Sequence, residues 1–141
     1  MAVISKILPL ASLLLLAGCT QSTHYTGHWR GHHDLPGSST DPRIYTVGKI
    51  DLTIYDSGKF DLVQAGMNRT GRVSYQNGSA LLQVEEVQGR PLAAQGNAEE
   101  LNKPIEIQLV EGDQGLRYFD PSAPEPIRKS IVLHREKSKP Q

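Results

Sequence analysis

From Tyr25 onward the chain is cut into short apolar runs by turn signals, and no stretch sustains a helical period. Thirteen Gly and nine Pro are spread along 141 residues. Punctuation at this spacing belongs to all-β sandwiches and barrels. The clearest unit alternates Ile50, Leu52 and Ile54 with Asp51 and Thr53, turns tightly at Asp56-Ser57-Gly58-Lys59, and returns through Phe60, Leu62 and Gln64. That reads as a hairpin. A second hairpin pairs residues 70–75 with 80–85 across Gln76-Asn77-Gly78. Asn-Gly there accepts the positive φ values of a type I′ turn.

The remaining segments complete a meander. Tyr25-Thr26-Gly27-His28-Trp29 reads as the first strand, with Tyr25, Gly27 and Trp29 on one face and His24 and His28 on the other. A Gly between two aromatics lets a strand bend or another chain pack closely. Residues 31–42 read as a loop and 44–55 as a strand. Residues 86–103 are polar, with a helical turn over 98–101. Ile105, Ile107 and Leu109 alternate with Glu106 and Gln108. A turn over 111–115, a strand over 116–119, a loop over 120–126 and a last strand over 127–134 follow. Asp51, Asp61, Glu85 and Glu106 have the spacing of solvated strand faces, and Asp120, ahead of Pro121, reads as a turn former.

About eight short strands imply an all-β fold, a small antiparallel meander barrel, lipocalin-like, because closure removes exposed edges. Its expected core is Tyr25, Trp29, Ile50, Leu52, Ile54, Phe60, Leu62, Leu81, Ile105, Ile107, Leu109 and Phe119. With 38% apolar and 6% aromatic residues, a filled interior is expected over a hollow one.

The start of the chain carries an address. Lys6 is the single charge before the leucine-rich run 7–16, which ends in Leu16-Ala17-Gly18-Cys19. A positive n-region, a short apolar h-region and small residues before a cleavage point make a secretory signal, too short to span a bilayer. The ending resembles the bacterial lipobox, which implies cleavage before Cys19 and acylation of its sulfur. The expected organisation is a signal peptide over 1–18, a lipidated tether over 19–23, a barrel over 24–135 and a disordered tail over 136–141. Thr20, rather than Asp, follows the cysteine, a pattern that implies sorting to the outer membrane of a Gram-negative bacterium. Acyl chains on Cys19 would make the membrane the first partner, with envelope proteins as further partners.

Cys19 is the only cysteine. Acylation would use up the one thiol, leaving no disulfide, no thiolate ligand and no cysteine nucleophile. Fifteen Lys and Arg balance fifteen Asp and Glu, and no basic block suggests nucleic acid as a partner. Asn68-Arg69-Thr70 and Asn77-Gly78-Ser79 match the glycosylation sequon, without meaning in a bacterial lipoprotein.

A lipobox, a Tyr-x-Gly first strand, a Pro36-Gly37 loop, the unit over 52–62 and a late Leu116-Arg117-Tyr118-Phe119-Asp120 with Pro126-Ile127 following form an ordered set. This set resembles the barrel domain of the NlpE-like copper-resistance lipoproteins, over about Tyr25 to Leu133. The resemblance implies a small envelope barrel that senses surface, metal or stress cues. Those proteins carry Cys-x-x-Cys before Pro-Gly; here His32-His33-Asp34-Leu35 occupies the stretch, with a histidine and a leucine in place of the cysteines. A thiolate copper site or redox role is therefore not implied. Gly27-His28-Trp29 also resembles the Gly-x-Trp of the first lipocalin strand.

Four histidines, His24, His28, His32 and His33, fall close together with Asp34 next to them. Imidazole suits copper and zinc, and a carboxylate can complete a site. His28, His32, His33 and Asp34 are the candidate ligands; the alternative is a set of exposed polar residues at a barrel rim. No nucleophile elbow, His-Glu-x-x-His or phosphate-cradling loop occurs, so a non-enzymatic binding or sensing module is expected. The alternatives are a carrier of a small hydrophobic ligand and a metal-handling protein using residues 24–34.

Overall fold

The computed structural model describes residues 23–137; the lipobox and Cys19 lie outside the described residues. Among the described residues there are nine strands: β1 Gly27–His32, β2 Lys49–Ile54, β3 Lys59–Gln64, β4 Met67–Gln76, β5 Ser79–Val87, β6 Arg90–Pro91, β7 Ile105–Val110, β8 Gly115–Phe119 and β9 Ile131–Arg135. They form one antiparallel sheet in the order β4-β3-β2-β1-β9-β8-β7-β5-β6, and β4 also pairs with β5. Eight strands therefore close into a barrel, with the two-residue β6 appended to β5. This is the expected meander.

The barrel has two distinguishable ends. The chain enters at the proximal end, which also carries the turns after β2, β4 and β7. The distal end carries the turn after β3, the long segment after β5 and the loop after β8.

Both expected hairpins form, with Leu52 opposite Leu62 and Tyr75 opposite Ala80. The β4–β5 ladder shifts register between Thr70 and Gly71. A Cβ at Gly71 would lie 1.9 Å from the Gln83 carbonyl oxygen, so only glycine lets the two backbones approach this closely.

Four boundaries differ from expectation, the first being that Gly31 and His32 extend β1 instead of opening the loop. Residues 44–48 belong to the short helix Pro42–Gly48 rather than to a strand. Asp41 caps it by accepting from the Arg43 backbone N–H at 2.9 Å, and proline stands at its first position. Cap and proline are sufficient helix-start signals. Tyr25 is helical, and Gly27, at φ +137°, turns the chain from that helical end into β1. The last strand starts at Ile131, because 120–130 form a loop whose Ala123 and Ile127 are buried.

The core holds Tyr25, Trp29, Ile50, Leu52, Ile54, Phe60, Leu62, Ile105 and Ile107 as expected. Leu81, Leu109 and Phe119 are only half-buried. Leu82, Leu116, Tyr118 and Leu133 take the interior instead. The cause is register: Ala80 pairs with Ile107 and Leu82 with Ile105, fixing Ala80, Leu82 and Val84 of β5 inward. Each large aliphatic or aromatic side chain so enclosed contributes about 1.5–3 kcal/mol relative to exposure. The interior is filled by side chains.

Proximally, the Trp29 indole N–H donates to the Tyr25 carbonyl at 2.9 Å, and Tyr25 packs against Tyr75 at 5.6 Å between ring centroids. The Arg135 guanidinium lies 4.2 Å from the Trp29 ring centroid. It donates to the carbonyls of Thr26 at 2.7 Å and His24 at 2.6 Å. Strand pairing also runs on past β9: the Glu136 backbone N–H donates to the His28 carbonyl at 2.8 Å. Glu136, assigned to the tail from sequence, is thus held to the barrel.

Candidate functional site

The histidines are placed along the length of the barrel rather than together. His28 is on β1 with its Nδ1 2.7 Å from a Glu136 carboxylate oxygen and its Nε2 hydrogen-bonded to Asp51. Arg30 joins the same two carboxylates, at 3.2 Å to Asp51 and 2.7 Å to Glu136. This charged cluster ties β1 to β2 and to the residue after β9. Burial alone would raise the Asp51 carboxyl; the hydrogen bond and charge of His28, with Arg30 and Lys49, outweigh it and hold it below its ordinary value. Asp51 is thus not the freely solvated carboxylate that alternation suggests.

His32 lies four residues farther along β1, about 13 Å away at ~3.3 Å per residue. Its ring stacks on Tyr45 at 4.3 Å, and its Nε2 is 2.9 Å from the Tyr45 carbonyl oxygen. His33 is buried: its backbone N–H donates to Gly48 at 2.9 Å, and its Nε2 has no protein partner. Burial above all, then the charges of His32 and Lys129, hold its imidazole below the ordinary value of 6.5. Asp34 is exposed. His24, at the proximal end, sits 3.5 Å from Asp113. Among the described residues, no three His, Cys, Asp or Glu side chains are gathered as a metal ion would need.

The group that is gathered lies elsewhere. Gln64 ends β3, Arg69 is the third residue of β4, Tyr118 is on β8, and Asp120 follows β8 directly. All four are at most 4% exposed. Arg69 Nη2 donates to Asp120 Oδ2 at 2.7 Å and to Gln64 Oε1 at 2.7 Å. The Tyr118 hydroxyl donates to the same Gln64 oxygen at 2.6 Å. Asp120 Oδ1 accepts from the Ser122 backbone N–H at 2.9 Å and from its hydroxyl at 2.6 Å. Since three strands separate β8 from β3 in either direction around the closed sheet, these contacts cross the lumen and plug its distal end.

The electrostatics follow from burial. A charge taken out of water is tolerated only when paired and hydrogen-bonded, and Arg69 and Asp120 supply that for each other. Burial pushes the Tyr118 phenol far above its ordinary value of 10, so it remains a neutral donor. Two donor groups nevertheless stay unused. Gln64 Nε2 and Arg69 Nε find no acceptor on the protein.

A cavity of about 150 Å³ opens beside the cluster. Gln64, Arg69, Asp120 and Ser122 contribute its polar wall. Met67, Leu101, Ala123, Pro124 and Ile127 contribute an apolar one.

Sequence reasoning missed this cluster by taking Asp120 as a turn former and Arg69 as part of a sequon. A signal existed. Inward parity on β3 runs Phe60, Leu62, Gln64, and on β4 Arg69, Gly71, Val73. Two long polar residues at inward positions on neighbouring strands require a buried partner.

Fold and site together define a closed, side-chain-filled antiparallel barrel with a polar plug and a small cavity at one end. Comparison of the chain with protein-family models, curated proteins and solved structures finds no significant match.

Proposed function

We propose that this chain is a lipid-anchored, non-enzymatic binding or sensing module of the bacterial cell envelope, NlpE-like in architecture, whose distal end is its working face. The observation that carries the reading is polarity along the barrel axis. The chain enters at Tyr25, at the proximal end, whereas the Arg69–Asp120 cluster and its cavity are distal. Cys19 precedes Thr23 by four residues, a reach of roughly 14 Å when extended. An anchor there would hold the proximal end near the bilayer and turn the distal end toward the aqueous compartment. Anchoring of this kind takes two acyl chains, since one gives only marginal binding.

The alternatives fit less well. A carrier with a hydrophobic ligand inside the barrel would need space that Trp29, Phe60 and Tyr118 occupy. Metal handling by residues 24–34 would require His28 to leave Asp51 and Glu136.

The test is metabolic labelling with an alkyne-bearing fatty acid, followed by membrane fractionation and crosslinking in intact cells. The reading expects label and outer-membrane recovery for the native chain, loss of both in Cys19→Ala, and crosslinked partners that map to the distal end. An unlabelled protein, or one equally membrane-bound and processed without Cys19, refutes the anchor. Partners mapping only to the proximal end refute the working face.

A further inference from the structure

The residues by which the chain enters the barrel stand outside its ladder. β1 starts pairing at Gly27, opposite Ile54, and residues 23–25 form a single helical turn ahead of it. A helix this short has no stability of its own, so contacts with the barrel hold it. Those contacts engage its carbonyls: the Trp29 indole N–H donates to Tyr25 at 2.9 Å, and the Arg135 guanidinium to His24 and Thr26. Tyr25 is thereby shut into the proximal mouth, its ring against Tyr75. Trp29, the donor to its carbonyl, is fully enclosed.

A hinge and a clasp bound this segment. Gly27, at φ +137°, has backbone angles open chiefly to glycine and joins the turn to β1. A Cβ there would lie 2.7 Å from Arg135 Nη1, so the clasp sits directly on the joint. Trp29 and Arg135, which hold the carbonyls, pair with each other in the β1–β9 ladder. No strand pair therefore has to part for residues 23–26 to lift. Opening free energies within one fold run from near zero at loosely tied ends to the global value in core strands.

We infer that residues 23–26 are a releasable strap over the proximal mouth, hinged at Gly27 and clasped by Arg135, which opens while the barrel stays folded and uncovers Trp29 and Tyr75. On the anchor reading, the strap is the first part of the folded body that a pull from Cys19 reaches. The strap itself does not depend on the anchor.

The experiment follows native-state hydrogen exchange in the full-length ¹⁵N-labelled chain, in detergent, across low urea concentrations. The Trp29 indole N–H reports the strap, and the slowest backbone amides of β2 and β3 report the barrel. The indole proton should exchange at least about a hundredfold faster than those amides. Its dependence on urea should be less than a third of theirs, because that slope follows the surface exposed on opening. Arg135→Ala should speed indole exchange at least about tenfold, as loss of one charged hydrogen bond implies, and keep the shallow slope. Arg135→Lys should fall between the two, and carries the comparison if the alanine variant does not fold. An indole proton that exchanges together with the β2 and β3 amides, at their urea slope, overturns the strap. Indole exchange unchanged by both Arg135 substitutions overturns the clasp and the proposal with it. Cys19→Ala should give the native pattern, so failure of the anchor and failure of the strap are read separately.

Discussion

The Arg135 guanidinium caps the Trp29 indole at 4.2 Å while its nitrogens reach the carbonyls of Thr26 and His24. One side chain near the end of the barrel thus holds the segment that enters it. Charged hydrogen bonds contribute about 1.5–3 kcal/mol and a partly desolvated cation–π contact about 0.5–2 kcal/mol, though the sum is not additive. Arg135→Ala should cost roughly 2–3 kcal/mol in urea unfolding followed by fluorescence of Trp29, the single tryptophan. Arg135→Lys keeps the charge but loses the fork, so it should recover less than half of that loss. A loss below about 0.5 kcal/mol for the alanine variant would mean the contact is ornamental.

Asp120→Ala removes the partner of a buried guanidinium and should destabilise the barrel by about 3–5 kcal/mol. Combining Arg69→Met with Asp120→Leu removes both charges and fills the space. That double variant should regain most of the stability, since Tyr118 still has Gln64 as its acceptor. Chemical denaturation of the single and double variants decides it. A double variant no better than the single one would show that the pair contributes net stability beyond mutual neutralisation.

Gly71→Ala should be among the most damaging small substitutions. Its new methyl group would meet the Gln83 carbonyl oxygen at 1.9 Å, and the Glu85 backbone nitrogen at 3.0 Å. Backbone cannot swing aside as a side chain can, so the β4–β5 ladder must part locally. A loss of at least about 3 kcal/mol is expected, at the upper end of overpacking costs. Loss of amide-exchange protection at residues 83–85 would locate it.

His33 should make stability fall with acidity. Its folded-state pKa lies below the ordinary 6.5, so the unfolded chain binds the proton more readily. Its contribution is fully present above pH 6.5 and is lost as pH falls through the lowered folded value. Unfolding measured from about pH 7.5 to about 5 should therefore show a steeper decline for the native chain than for His33→Gln. Parallel curves would mean that His33 is not held neutral.

The two hairpins were legible because each carries its own local turn chemistry: Asp56-Ser57-Gly58-Lys59 in one and Asn77-Gly78 in the other. Trp29, Leu52 and Phe60 were legible as core because each alternates with polar neighbours. Leu81 and Leu82 were not separable, since adjacent leucines carry no parity of their own and β7 decides which one is enclosed. Residues 44–48 were misread because Ile44, Tyr45, Thr46 and Val47 favour strands, whereas the Asp41 cap and Pro42 start a helix. The distal cluster was the hardest to see. Its members come from β3, β4 and β8, and only barrel closure brings them face to face across the lumen.

Because β1 and β9 are neighbours, the chain enters and leaves the barrel side by side: Arg135 reaches the His24 carbonyl, and Glu136 bonds to His28. A short linker could therefore splice the two ends and allow the ring of strands to be reopened anywhere. Opened at the Ala65-Gly66 turn, the permuted chain would begin at the opposite rim. A lipidated tether fused to that new beginning would present the same barrel upside down on a membrane, separating what the folded body does from the direction in which it is pointed.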